Sequence, residues 1–156
     1  MKNEYYSFED IKTKFKSYRK LKESAINEEE YDMFCDEIQA LPREIVDKVK
    51  TEIQFVLLSA APKLKPACYI NLSKIGEKKG IIVLTPFIFG APYIDLDKKV
   101  LKKRAPMDPP CILHEVAHHI LRHFKYEDQQ DYKEKEKAAE EQAKKWTLQY
   151  WDEKQE

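Results

Sequence analysis

The chain has 156 residues and a mass of 18.5 kDa, about one domain's worth of sequence, so it reads as a single domain spanning 1–156. Lys plus Arg and Asp plus Glu each number 28, and the zero net charge excludes a nucleic-acid binder with a basic footprint over its whole surface. Nothing approaches 18 consecutive apolar residues, which excludes a membrane-spanning helix, and nine Tyr with seven Phe argue against global disorder.

Near the N-terminus, Phe8, Ile11, Phe15 and Tyr18 recur at helical spacing and predict an amphipathic helix. The same opening stretch carries Glu4, Glu9 and Asp10 and has no apolar run, so it is unlike a secretory signal. Asn27 followed by three Glu residues reads as a helix cap and an acidic first turn, with Tyr31, Phe34, Cys35 and Ile38 on the buried face. Pro42 suits the first position of a further helix, whose stripe of Ile45, Val46, Val49, Ile53, Val56 and Leu57 is expected to run to about Ser59.

The period then changes to two. Residues 67–72 alternate and are rich in strand formers, Glu77 to Gly80 reads as a turn, and GIIVL from Gly80 opens a second strand that Pro86 ends or confines to an edge. Tyr93, Ile94 and Leu96 suggest a short third strand or bridge, and Lys98 to Pro110 reads as a loop. A helix from Cys111 to about Phe124 follows, then a second from about Gln130 to Trp151 with Ala139, Ala143, Trp146 and Tyr150 inward. Cys35, Cys68 and Cys111 are scattered, form no disulfide framework, and fit buried thiols of a cytoplasmic protein.

The chemistry-bearing signal is His114-Glu115-Val116-Ala117-His118. Two histidines four apart lie about 40° apart around a helix, so both imidazoles can meet one zinc ion. Glu115 sits where its carboxylate reaches an attacking water as general base. The flanks Ile112, Leu113, Val116, Ala117, Ile120 and Leu121 are apolar, and buried imidazoles without partners are costly, a cost that coordination removes. A third ligand is required. Position 124, where one zincin class has its third His, is Phe, so a carboxylate from the next helix is expected, with Glu134, Glu136, Glu140 and Glu141 as candidates. Glu140 lies about 60° from Ala143 and Glu141 about 160°, which selects Glu140, with Glu136 one turn earlier as the next choice. The competing reading of Glu140 is a surface pair with Lys144. His119 and His123 lie about 140° and 180° from His114 and read as surface residues or supports behind the ligands. His123, Tyr126 and Tyr150 are candidates to stabilise an oxyanion.

These motifs resemble zincin-type metallopeptidases of the gluzincin kind, most closely the small ImmA/IrrE-like peptidases of bacteria, phages and mobile elements and the minimal gluzincins. In that family a helix with HExxH follows a strand, and the next helix supplies Glu in an E-x-x-A-[DN] setting. Glu140 and Ala143 fit; Lys144 stands where the family has Asp or Asn, which can support a ligating His. The resemblance covers about Ile53 to Trp151. It implies a zincin-like α+β fold: N-terminal helices, a small sheet with an edge strand over the HExxH helix, then a C-terminal helix carrying the third metal ligand. It implies Zn2+ at His114, His118 and Glu140, and hydrolysis of peptide bonds in a protein or peptide substrate, such as a repressor. In zincins an extended substrate pairs with the edge strand, which makes Ile81 to Thr85 the expected pairing strand. The alternative is a zinc-containing binding or structural domain in which catalysis has decayed. Basic clusters at 98–104 and 14–22 are interleaved with acids, and a solvated surface explains them better than nucleic acid. Nothing in the sequence sets an oligomeric state.

Overall fold

A computed structural model of the chain describes residues 2–16, 28–57, 67–75, 78–84, 92–95, 100–103 and 111–154. Ser7 opens α1 (Phe8–Lys14): its Oγ accepts the Asp10 amide at 3.1 Å, acidic residues fill the first turn, and lysines fill the last. Ile11 and Phe15 are sealed from solvent; Tyr18 and Asn27 lie outside the described residues. In α2 (Glu28–Gln39) the stripe Tyr31, Phe34, Cys35 and Ile38 is buried, as its periodicity predicts. Pro42, with ψ 149°, is the cap of α3 (Arg43–Glu52) rather than its first turn.

α3 stops at Glu52, seven residues short of the expected end, and Ile53–Leu57 is a strand, β1. Ile53 and Phe55 face the core while Gln54 and Val56 are half-buried, the alternation of a strand. β-Branched and aromatic residues favour that pleat. What decides it is a non-local partner: β1 pairs in parallel with β3 (Lys78–Leu84), from Ile53 opposite Gly80 to Leu57 opposite Leu84. On its other side β3 pairs antiparallel with β2 (Ala67–Ile75), from Ala67 opposite Leu84 to Asn71 opposite Gly80. The sheet order is therefore β1–β3–β2. Both edges of β3 are occupied within the fold, so the expectation that Ile81 to Thr85 is an edge strand open to substrate is wrong; Thr85 itself lies outside the described residues. β4 (Pro92–Asp95) and β5 (Val100–Lys103) form a separate antiparallel pair, so part of the expected loop at 98–110 is strand.

The chain closes with α4 (Cys111–Ile120), which carries HExxH, and the long α5 (Gln129–Lys154). α4 packs against α5, β2, α2 and β3, so the motif helix lies between the N-terminal helices, the sheet and the C-terminal helix of an α+β fold. The strand it meets most closely is β2, which among the described residues is an outer strand of its sheet. The rings of Phe15, Phe34 and Phe55 meet edge to face at 5.1–6.5 Å, joining α1, α2 and β1 in one core. Ala139, Ala143, Trp146 and Tyr150 bury the inner face of α5 as expected, and Tyr150 meets Tyr5 edge to face at 5.1 Å.

Candidate metal centre

α4 is apolar on most of its circumference: Ile112, Leu113, Val116 and Ala117 are buried, and with them His118 and His119. A cross-link from α2 holds its start. The Glu37 carboxylate accepts the amide of Leu113 at 3.0 Å and also that of Ile112, taking two of the helix's unsatisfied N-terminal donors. At the other end the Arg122 amide donates to the His119 carbonyl at 3.1 Å and the His123 amide to the His118 carbonyl at 2.9 Å. This pair of bonds, with Arg122 at φ 61°, is a Schellman cap with a non-glycine residue in the left-handed position. α5 starts at a cap of its own. Asp128 Oδ1 accepts the Asp131 amide at 2.7 Å, and Asp131 in turn accepts the Glu127 amide at 2.9 Å. Two firmly terminated helices joined by residues 121–128 thus have a fixed register against each other.

That register brings His114, His118 and Glu136 together. Nε2 of His114 lies 3.1 Å from one Glu136 oxygen, Nε2 of His118 lies 2.9 Å from the other, and the two Nε2 atoms are 3.2 Å apart. One ligand atom from each falls within 4.8 Å of the others. A zinc ion with bonds of about 2.0–2.1 Å separates its tetrahedral donors by about 3.3 Å, so this triangle needs to open by only a few tenths of an ångström. The donor chemistry also fits. Burial pushes the His118 imidazole down to about 4, against the pull of Glu136, so near neutral pH it offers a lone pair rather than a proton. The two Nε2 atoms face each other at 3.2 Å, a spacing that a shared cation satisfies, and the Glu136 carboxylate supplies the negative charge that a cation matches.

Glu140, the expected third ligand, is not in this cluster. Its carboxylate meets Lys144 at 3.3 Å on the half-exposed side of α5, the surface pair that was its competing reading. The physical reason is legible in the helix wheel. The centre of the stripe formed by Ala139, Ala143, Trp146 and Tyr150 lies about 50° from Glu136 and about 90° from Glu140. Height agrees. His114 is about 9 Å before the end of α4, Glu136 about 10 Å past the start of α5, and Glu140 a further turn along. Measured from Ala143 alone, Glu136 is again the closer, at about 20° against about 60° for Glu140, so the phase comparison favours Glu136 once it is set beside Glu140 and Glu141.

Glu115 is half-buried on α4, about 60° around the axis from His118. Its i+4 neighbour His119 is buried rather than on the surface: its Nε2 donates to the Glu52 carboxylate at 3.2 Å and its Nδ1 meets the Tyr69 hydroxyl at 2.7 Å, contacts that fasten α4 to β2 and to the end of α3. Burial, then the Glu52 charge, pushes the Tyr69 hydroxyl up to about 12. Gly80 makes room for that ring: a Cβ there would lie 2.6 Å from Tyr69 Cε2. His123 lies against His118 on the face away from Glu136, with the two Nδ1 atoms 3.0 Å apart. Tyr150 is about 21 Å along α5 from Glu136 and packs on Tyr5, too far to stabilise an oxyanion at the cluster. Tyr126 is exposed and stacks edge-on against Tyr132. No helix among the described residues is long and apolar enough to cross a membrane. No family model, curated protein or solved structure matches the chain.

Proposed function

We propose that the chain is a zinc-dependent metallopeptidase of zincin-like architecture acting on a peptide or protein, with His114, His118 and Glu136 as metal ligands and Glu115 as general base. The observation that carries this reading is the convergence of two Nε2 atoms, four residues apart on one helix, with a carboxylate from the next helix. Three protein ligands leave a fourth position open, the mark of a catalytic rather than a structural zinc site. When bound there, zinc supplies a Lewis acid and lowers the pKa of water. Glu115 adjoins His114 in sequence and is outside the ligand triangle; in this reading its carboxylate takes a proton from the attacking water and returns it to the leaving amine. The rim of the cleft in this reading is β2, which packs on α4 and has β3 on only one side.

The test is metal content and cleavage together. Glu136→Ala is expected to lower zinc affinity more than about 100-fold, beyond what loss of a supporting contact does, and Glu140→Ala to retain full stoichiometry. Glu115→Gln is expected to keep zinc while cleavage of a peptide panel falls by about 10²–10⁴. Full zinc affinity in Glu136→Ala would refute the ligand set. Equal cleavage by wild type and Glu115→Gln would refute the mechanism.

A further inference from the structure

We propose that His123 is a positioning residue for the metal centre: it accepts the Nδ1 proton of His118 and so fixes both the tautomer and the ring angle of that ligand. The inference rests on the ligand set above. His118 has two ring nitrogens on opposite edges. Its Nε2 edge faces Glu136 at 2.9 Å and His114 at 3.2 Å; its Nδ1 edge faces His123 Nδ1 at 3.0 Å. A metal taken on Nε2 requires the lone pair there, so the proton of neutral His118 must reside on Nδ1. At 3.0 Å from another ring nitrogen that proton needs a lone pair opposite it, which makes His123 the tautomer protonated at Nε2. The same geometry separates this role from ligation, since His123 approaches the ring edge that points away from the cluster.

Backbone structure delivers the contact. The Schellman cap carries the His123 amide onto the His118 carbonyl at 2.9 Å, so the chain reverses at Arg122 and returns the His123 side chain over the ring of the residue to which its backbone is already bonded. The rings meet at 5.2 Å between centroids and 64° between planes, an edge approach suited to a nitrogen–nitrogen hydrogen bond. Ligating histidines commonly donate their second N–H to a carboxylate or carbonyl. Lys144, a donor paired to Glu140, has no acceptor to offer. A neutral imidazole five residues along the chain does that work here.

The experiment compares wild type, His123→Ala and His123→Asn in the 156-residue chain. Zinc affinity is measured by competition with a chromophoric chelator, and the Co2+ ligand-field spectrum is recorded as a report on ligand geometry. Asn can place its Oδ1 where His123 has Nδ1. The expected result is a 10–100-fold loss of zinc affinity in His123→Ala with an altered Co2+ spectrum, and recovery of most of the affinity and of the wild-type spectrum in His123→Asn. Thermal melts of the metal-free proteins show whether each variant is folded. Wild-type affinity and spectrum in His123→Ala, or a folded His123→Asn as weak as His123→Ala, would overturn the inference while leaving the ligand set standing. A wild type that takes up no stoichiometric zinc would overturn the ligand set itself and this inference with it.

Discussion

Glu37→Gln probes the cross-link that holds the start of the motif helix. Burial raises the Glu37 carboxyl from 4.5 to about 7, even though the amides of Leu113 and Ile112 both favour its charged form. Protons therefore bind the folded chain more tightly than the unfolded one. The stabilisation is fully present below the unfolded value of 4.5 and is lost as pH rises through 7. A shift of about 2.5 units at about 1.36 kcal/mol each sets a ceiling of about 3.4 kcal/mol; solvent reaches the edge of the group, so about 2 kcal/mol is the working figure. Gln keeps the shape, still accepts the Leu113 amide and never ionises. His118 and His119 are pushed down by burial and act in the opposite sense, costing stability as pH falls below about 6.5, but they are common to both proteins and cancel in the difference. The assay is urea unfolding of wild type and Glu37→Gln at pH 5, 6, 7 and 8 with a chelator present. The Gln variant should gain on wild type by about 2 kcal/mol between pH 5 and 8. A difference that is flat with pH, or that runs the other way, refutes the account of Glu37 as a buried carboxyl that titrates near neutrality.

Two further perturbations test the scaffold. Gly80→Ala should destabilise by about 1–3 kcal/mol, because its Cβ drives into the Tyr69 ring; Tyr69→Phe should cost about 1 kcal/mol for the lost His119 contact. The double variant should cost less than the sum in urea melts, since both act on one ring. Arg122→Gly should raise the melting temperature by about 2–4 °C by relieving the left-handed residue of the cap, with zinc affinity unchanged; a lower melting temperature would mean that the arginine side chain contributes more than its backbone costs.

The parts of the fold set by local pattern were readable. The stripes of α2 and α5 bury the residues their spacing selects, α1 buries Ile11 and Phe15 while Phe8 is half-buried, and the i,i+4 pair His114 and His118 declares itself from five residues. Two errors have one physical origin, which is pairing between distant segments. Val49, Ile53, Val56 and Leu57 satisfy a helical stripe and a buried strand equally well; only β3, some 25 residues on, turns the second half into β1. Having lost β1, the sequence reading left β3 with a free edge it does not have. Glu136 was within reach of sequence alone, as the phase of the full α5 stripe demonstrates, whereas the backbone reversal at Arg122 that carries His123 to His118 had no signal, since no glycine marks it.

The cross-link from α2 to α4 bears on what the N-terminal helices contribute to the metal-binding cluster. Peptidases are often kept silent by a leading segment that is cut away, and a segment of that kind must leave an intact surface behind when it departs. Here the leading helices leave none. Removing them would strip Phe15 and Phe34 from Phe55, uncap α4 at Leu113 one residue before the first histidine, and take Tyr5 off Tyr150. Loss of α1 and α2 would dismantle the helix that carries His114 and His118 rather than uncover it, so these two helices are part of the scaffold of the cluster and not a detachable cover.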